Sequence, residues 1–402
     1  MPNRRTFILG AAATGALTLP GRPSAGATGV RTTAISLPHD PFQLGVASGD
    51  PSADGFVLWT RLAPAPLNPD GLGGMPSSNV DVEWQVATDG TFATIVASGT
   101  TTATPGSAHS VHVEVTGLPH SRAYTYRFRT VTTPSHVSPV GFTRTAPGPG
   151  VLPNQLRFAV ASCAHWEDAW FHAYRGIAAE NPDLVVFLGD YIYEKRTGQQ
   201  QWVRRYVSTD PDADHRIDTL AEYRRRYAQH RTDSALRAAH AAAPWVVVFD
   251  DHEVRDNWNP DSVPAAQRAQ AFQAWYENMP VRAAQRPSGS AMTLYRRLNW
   301  GSLARFHMLD TRQYRDPQSV PDCNDGTRRI ISTGQEQWLL DGLATHTRRP
   351  GTSSGSRCSS PTGTATATRT PATATTRGTT TGRSGVASWP AGWTGEHPTR
   401  WC

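Results

Sequence analysis

The chain has 402 residues, with 39 lysines and arginines against 33 aspartates and glutamates, a formal net charge of +6 and an isoelectric point of about 9.3. This length leaves room for roughly two or three domains with cores of their own, and four cysteines are too few for the disulfide framework of a small exported scaffold. No zinc-finger, RNA-recognition or helix-turn-helix signature accompanies the basic charge. The charge therefore favours anionic substrates or surfaces. The absence of those signatures argues against nucleic acid as a partner.

Residues 1–28 are predicted to be an export signal. Arg4 and Arg5 lie in a twin-arginine pattern, a mostly apolar stretch follows to Leu17, and small residues at 25–27 offer a cleavage site. A membrane anchor is the weaker alternative, because the stretch is short and contains glycine and threonine. We therefore expect export by the twin-arginine machinery, no stable membrane span, and a secreted or cell-envelope location.

Residues 37–148 are predicted to form a small all-β sandwich. Apolar and polar residues alternate at 80–86, 111–115 and 124–128, and turns rich in Gly, Asp and Pro separate these runs. The approach from Leu118-Pro119 to Tyr124 is similar to the corner of immunoglobulin and fibronectin type III sandwiches. A linker rich in proline and glycine is predicted at 143–153.

From residue 154 to residue 345 the pattern changes to alternating strands and helices. It predicts strands at 156–161, 184–188, 245–249 and 304–309, and helical stretches at 170–179, 220–242 and 336–343. This order favours a layered α/β domain. Arginines 204, 205 and 224–226 alternate with aromatic residues in a predicted helical insertion, and we interpret them as a solvated helix face.

Residues 346–402 differ sharply from the rest of the chain. They contain no Leu, Ile, Phe, Tyr, Met or Asp, and Thr, Arg, Gly, Ser and Pro dominate. Such a segment cannot bury enough apolar area to offset its ordering entropy. It is interpreted either as a disordered or O-glycosylated tail or as the product of a frameshift in a GC-rich gene, and the abrupt change inside an α/β domain favours the frameshift.

Two predicted strands end in groups that bind metals. Asp190 and Tyr193 follow the strand at 184–188, and Asp251 and His252 follow the strand at 245–249. In an open α/β sheet, ligands collect just outside the carboxyl ends of the strands. A carboxylate can bridge two cations, a phenolate suits a ferric ion, and an imidazole can donate a proton. The structural alternatives are a turn aspartate beside a packing tyrosine and a surface histidine after an edge strand.

A third strand tip carries Cys163 and His165, two residues apart. A thiolate and an imidazole at this spacing can both face a metal. A lone cysteine after a strand is more often a small buried apolar residue. Asp250 and Glu253, beside the pair at 251 and 252, are interpreted as groups that orient the ligands.

The three tips together resemble the alkaline phosphatase D (PhoD-like) family of the metallophosphoesterase superfamily. That superfamily has Asp-x-His, Gly-Asp-x-x-Asp and Gly-Asn-His-Asp/Glu in this order, where this chain has Cys163-Ala164-His165, Gly189–Tyr193 and Asp250–Glu253. The tyrosine is similar to purple acid phosphatases, whereas Ser-Cys in the first element and Asp-Asp-His-Glu in the third are similar to the PhoD-like family. Residues 42–50, 57–61 and 309–315 also fit, so the resemblance runs from 41 to 343.

The resemblance implies a role for each matching residue. Cys163, Asp190 and Tyr193 would hold Fe(3+), Asp190 would be shared with neighbouring Ca(2+), and Asp251 would bind on the calcium side. His252 would stabilise the transition state or protonate the leaving alkoxide. Contacts to the ligands or to the phosphate are expected for His165, Arg255 and Asn257, and structural roles for Asp310 and Arg312.

The resemblance also implies the fold and the function. The expected fold is α/β: a metallophosphoesterase-like layered domain at 154–345, incomplete at its C-terminus, after an immunoglobulin- or fibronectin III-like sandwich. The expected activity is that of an exported metal-dependent alkaline phosphatase, a phosphomonoesterase with phosphodiesterase or phospholipase D-like activity, in which a metal-bound hydroxide attacks small phosphate esters. The family's later Gly-Asp-Val-His element is missing after Leu343. The alternative is therefore an inactive truncated relative with at most a binding role.

Overall fold

The computed structural model describes residues 35–168, 170–196, 212, 214–317, 327–345 and 352–355. The predicted export signal at 1–28 and most of the predicted tail at 346–402 lie outside the described residues. None of the helices in the described ranges combines the length and the hydropathy that a membrane crossing requires.

The alternating segments of the N-terminal part form antiparallel strands, as predicted. A four-stranded sheet has the order β4-β3-β6-β7, and its inward side chains, among them Val82, Tyr126 and Phe128, pack against Phe56 and Leu58 of a second sheet. The Tyr124 hydroxyl donates to the Pro119 carbonyl across 3.3 Å, at the predicted corner. The strands are β1 (Val46–Ser52), β2 (Gly55–Arg61), β3 (Val80–Ala87), β4 (Ile95–Ala103), β5 (Ser110–Val115), β6 (Ala123–Thr130) and β7 (Gly141–Arg144).

The second part alternates strands and helices. Helix α2 begins at a capping box, in which Thr219 and Glu222 each accept the other's backbone N–H, and α3 begins where the Asp233 carboxylate accepts two amides. The elements are β8 (Phe158–Ala161), α1 (His172–Ala179), β9 (Leu184–Phe187), α2 (Leu220–Arg231), α3 (Ser234–Ala242), β10 (Pro244–Val247), α4 (Ala265–Asn278), β11 (Arg296–Trp300), β12 (Ala304–Met308), α5 (Thr333–Ala344) and β13 (Thr352–Gly355).

One sheet runs through both parts of the chain. Its order is β5-β2-β1-β10-β9-β8, and the pairs β1–β10, β10–β9 and β9–β8 are parallel. Ser48 and Gly49 pair with Pro244 and Trp245, so backbone hydrogen bonds join the predicted sandwich to the predicted α/β domain. The α/β class is confirmed, whereas the immunoglobulin- or fibronectin III-like identity of the sandwich stays a prediction.

In the second part of the chain, local patterns did not predict three elements. Helix α4 and strand β11 were not expected, and β13 lies in the stretch at 346–402 that was interpreted as tail. Strand β13 pairs in parallel with β12, from Arg305–Thr352 to Met308–Gly355. At least these four tail residues are therefore placed as the third strand of the sheet β11-β12-β13.

The interpretation of the arginines as a solvated helix face is wrong for Arg224, Arg225 and Arg226. All three are buried on α2, whereas residues 204 and 205 lie outside the described part of the chain. Arg224 donates to the Glu277 carboxylate on α4 from Nε and Nη2, over 2.7 and 2.6 Å. Arg225 donates to the Asp212 carboxylate, and Arg226 to backbone carbonyls. These three arginines can be buried because each one donates to a carboxylate or carbonyl oxygen in the interior.

Breaking the pair between Arg224 and Glu277 should destabilise the fold. Arg224→Met leaves a buried carboxylate without its cation, which costs about 3 to 5 kcal/mol of unfolding free energy. Denaturant unfolding measures this loss. Arg129→Met is the control, because the Arg129 side chain in its pair with Glu83 is 54% exposed, and such surface pairs contribute about 1 kcal/mol or less. Equal losses of unfolding free energy in the two variants would contradict a stabilising role for the buried pair between Arg224 and Glu277.

Candidate active site

Three loops meet at the carboxyl edge of the parallel strands β8, β9 and β10. Ala161 and Val247 both pair with Phe187, so the loops after these strands start at the same level. The backbone N–H of Cys163 donates to the Gly189 carbonyl across 3.1 Å, and that of Ala164 donates to the Asp190 carbonyl across 2.8 Å. The first two loops are thus fastened to each other by backbone hydrogen bonds.

The turn after β9 requires a glycine. Gly189 has φ +96°, and a Cβ at this position would collide with the backbone nitrogen and the Cβ of Asp250. Asp190 itself has φ +56°, and Cys163 has φ +58°. Left-handed conformations at non-glycine residues are uncommon and concentrate at functional sites. The second and third loops therefore approach more closely than any other residue at 189 would allow.

The structure brings together Asp190, Asp251 and His252. Each is buried and offers one ligand atom, and these three atoms all lie within 4.8 Å of one another. The Tyr193 hydroxyl donates to Asp190 Oδ2 across 3.3 Å, and the His252 amide donates to Asp190 Oδ1 across 3.4 Å. Four of the five predicted ligand and catalytic residues therefore form one cluster.

The fifth residue, Cys163, lies at the same edge but outside that group of three. Its side chain is exposed, and its Sγ lies 3.3 Å from Ser162 Oγ. The His165 ring packs edge-on against Tyr193, with 4.4 Å between ring centroids. Tyr193 in turn packs against the His252 ring at 4.2 Å. The aromatic rings of the first, second and third loops are thus in direct contact.

Asn257 and Arg255 contact the cluster through their backbone. The Asn257 amide donates to Asp251 Oδ2 across 2.6 Å, and the Arg255 amide donates to the Asp251 carbonyl across 2.7 Å. Asn257 itself has φ +52°, a left-handed conformation that is uncommon for residues other than glycine. The structure thus shows these two residues positioning Asp251, and their predicted contact with phosphate stays a prediction.

Glu194 is a functional residue that sequence reasoning missed. Its Oε2 lies 2.7 Å from His252 Nδ1, and its Oε1 accepts the Asp256 amide across 3.0 Å. Burial would lower the pKa of His252, but the hydrogen bond and charge of Glu194, together with the charges of Asp251 and Asp190, outweigh it and raise that pKa. Burial alone would raise the pKa of Glu194, but its bond to His252 holds it below the usual value. The pair fixes the imidazole and favours its charged form.

Glu253 braces the second and third loops. Its two carboxylate oxygens accept the amides of Tyr191 and Asp250, across 2.7 and 2.9 Å. Burial, together with the nearby charge of Asp190, raises the pKa of Glu253 to about 8. Since both of its oxygens accept amides, Glu253 holds the two loops together, and its predicted role in orienting the metal ligands stays a prediction.

Arg312 reaches the cluster from the segment after β12. Its Nε donates to Asp250 Oδ1 across 2.7 Å, and its Nη2 donates to Asp251 Oδ1 across 3.2 Å. Burial would raise the pKa of Asp251, but the charges of Arg312 and His252 lower it. The Leu309–Arg315 stretch was part of the resemblance, yet nothing in its local pattern showed that it touches the other loops.

The donor set of the cluster suits hard cations. Carboxylate oxygens bind both Fe(3+) and Ca(2+), and phenolate and imidazole groups are ligands for Fe(3+). A second group, Asp212, His215 and Glu222, also brings three such side chains together. There the Asp212 carboxylate accepts from Arg225, and Glu222 accepts the amides that start α2. The strand-tip cluster is buried at the carboxyl edge of the parallel strands, where ligand sites of such sheets lie, and is the better candidate metal site.

Known proteins share both the sequence and the fold. The chain is 46% identical over 363 residues to alkaline phosphatase D of Bacillus subtilis (strain 168), covering 86% of this chain and 61% of that protein. A solved structure of PhoD superposes with a TM-score of 0.71 at 45% identity, covering 78% of this chain and 62% of that one. A purple acid phosphatase from yellow lupin seeds shares the fold. It matches with a TM-score of 0.51 at 12% identity, covering 79% of this chain and 51% of that one.

The chain thus spans about three fifths of the length of the alkaline phosphatase D and PhoD relatives it matches. Family models match two consecutive stretches. Residues 29–147 match the N-terminal domain of PhoD-like phosphatases, and residues 158–351 match the PhoD-like phosphatase domain. The chain belongs to the PhoD-like phosphatase family.

Proposed function

We propose that the chain is a metal-dependent phosphate-ester hydrolase that acts on small phosphomonoesters and on diesters. The observation that carries the proposal is the convergence of Asp190, Asp251 and His252 within 4.8 Å at the carboxyl edge of the sheet. Ligand sites of open α/β sheets lie at this edge, and membership of the PhoD-like family supports the same chemistry.

Cys163, Asp190 and Tyr193 would hold Fe(3+), and Asp190 with Asp251 would hold Ca(2+). Bound there, the cations would supply the nucleophilic oxygen and neutralise the charge that develops on phosphorus oxygens. Sharing by Asp190 is supported by its two oxygens, which lie 3.3 Å from the Tyr193 hydroxyl and 3.4 Å from the His252 amide nitrogen. The role of Cys163 is supported by its backbone hydrogen bond to Gly189, which ties the first loop to the second.

His252 would protonate the leaving alkoxide. Glu194 occupies Nδ1, which leaves Nε2 as the atom that can hold a transferable proton. Nε2 lies 3.9 Å from Asp256 Oδ1. Without bound cations, the carboxylates around His252 raise its pKa against the effect of burial, and they thereby favour the protonated ring.

The proposal extends to location. The twin-arginine pattern at Arg4 and Arg5 supports export by that route to the cell envelope or beyond. Cargo of this route is folded before export, which suits a metal loaded in the cytoplasm.

The second candidate is an inactive relative that retains the fold. It is favoured by the exposure of β8 at the sheet edge, where Phe158 is 44% and Val160 is 55% exposed. Apolar strand residues of this kind normally pack against further structure.

Reading the gene in the other two frames after codon 343 separates the two candidates. We expect one of those frames to encode an apolar strand followed by Gly-Asp-Val-His. The restored chain should then be active. If neither frame encodes it, the tail is native and the inactive relative is favoured.

The cation requirement is testable on the purified chain. Metal analysis should find iron and calcium, and the chain should release p-nitrophenol from p-nitrophenyl phosphate at alkaline pH. Chelation should abolish turnover, and Asp190→Asn should lower kcat by about a hundredfold or more because a shared ligand is lost. Asp81→Asn, in the sandwich strand β3, is the control and should leave turnover unchanged. Full activity in a metal-free preparation would contradict the proposal.

Proton donation by His252 predicts a dependence on the leaving group. His252→Ala should lower kcat for an alkyl phosphate by about 10²- to 10⁴-fold, because an alkoxide needs a proton to depart. The loss with p-nitrophenyl phosphate should be much smaller, since nitrophenolate leaves unprotonated. Glu194→Gln should show the same selectivity with a smaller loss. Equal losses for both esters would rule out a general acid.

A further inference from the structure

We propose that Arg312 is a built-in counter-cation of the candidate metal site, which stabilises the metal-free state by pairing with Asp250 and Asp251 and lowers the affinity for the metal. The inference rests on the proposed function, because it takes Asp251 as a calcium ligand. It gives Arg312 a positioning and charge-balancing role in place of the structural role expected from the sequence.

The guanidinium is enclosed together with both carboxylates. Arg312 and Asp250 have no exposed side-chain area, and the Asp251 side chain is 3% exposed. Nε and Nη2 of Arg312 each donate to a different carboxylate, over 2.7 and 3.2 Å. One cation thus holds two adjacent aspartates that would otherwise repel each other in a medium of low polarity.

The backbone around Arg312 is fixed from α5. Gln335 accepts the Asp310 amide across 2.8 Å and donates to the Asp310 carbonyl across 2.9 Å. The Asp310 carboxylate in turn accepts the amides of Arg312 and Gln313, across 3.1 and 3.0 Å. The backbone that carries the guanidinium is therefore fixed next to the candidate site.

Several carboxylates lie close to this guanidinium. Asp190, Asp250 and Asp251 lie on the two loops after β9 and β10, and Arg312 donates to Asp250 and Asp251. Buried carboxylates without a cation are strongly unfavourable. Arg312 thus supplies positive charge that is present before any metal binds.

A cation on Asp251 would meet this guanidinium. Asp251 Oδ1 accepts from Arg312, and Asp251 Oδ2 accepts the Asn257 amide. Any cation on Asp251 therefore shares an oxygen that already has a donor, and it is repelled by the neighbouring positive charge. The pair with Arg312 should stabilise the metal-free protein more than the metal-loaded protein. An ordinary structural ion pair would stabilise both states equally.

Arg312→Met and Arg312→Lys in the full chain distinguish these two roles. Chelator-treated protein is titrated with Ca(2+) by calorimetry, and thermal unfolding is followed with and without Ca(2+). We expect Arg312→Met to bind Ca(2+) about tenfold more tightly than the parent chain, because a nearby positive charge is gone. Ca(2+) should raise the melting temperature of Arg312→Met by more than that of the parent. Arg312→Lys keeps the charge but not the two-donor fork, so its affinity should lie between those of the parent and Arg312→Met.

Arg224→Met is the matched control, because it breaks another buried arginine–carboxylate pair on α2 and α4. It should lower the melting temperature equally with and without Ca(2+) and leave the affinity unchanged. If Arg312→Met folds only with Ca(2+), the proposal is supported. If it binds Ca(2+) no more tightly than the parent, or is unfolded in both conditions, the proposal is overturned. A parent chain that binds no Ca(2+) would instead refute the proposed function.

Discussion

The parallel pairing of β8, β9 and β10 is the constraint on which the whole candidate site depends. The pairs Val185–Ala159 and Val185–Trp245 set the register, and the three loops leave the sheet at one level. A slip of one residue would turn the side chains of a strand to the opposite face and move its loop. The close approach of Gly189 to Asp250 tolerates no such slip. Register in the buried sheet therefore determines which side chains can share a ligand.

Concentrating carboxylates at this edge creates an electrostatic cost that the neighbouring groups reduce in different ways. Both carboxylate oxygens of Glu253 accept backbone amides. Burial and the charge of Asp190 still disfavour its ionised form, so its pKa is raised. Glu194 is paired with His252, and Asp250 is paired with Arg312. The negative potential that makes the loops hard to hold together is also what would attract cations. The arrangement thus couples stability to metal binding.

The sequence predicted what local patterns determine. Apolar runs that end in Asp190 and Asp251 indicated strand tips, and alternation indicated the strands of the sandwich, because both patterns reflect burial on one sheet. Contacts between distant segments have no such local signal. Arg312 lies 61 residues from Asp251 along the chain and meets it only after the fold forms. Arg224 was interpreted as solvated because its charge does not indicate that a carboxylate, Glu277, lies opposite it on the facing helix.

Folding and activity depend on different parts of this chain. The main core cluster joins β9, β10, α2, α3 and α4 and encloses aromatic residues such as Trp245 and Trp275, so its cohesion does not require anything beyond β8. The exposed residues of β8 lie outside that cluster, at the far edge from the sandwich. The side chains of the candidate site, in contrast, sit at the rim of the sheet, where further segments can add ligands. The core is therefore enclosed by the described strands and helices, whereas the candidate site depends on the loops at this rim.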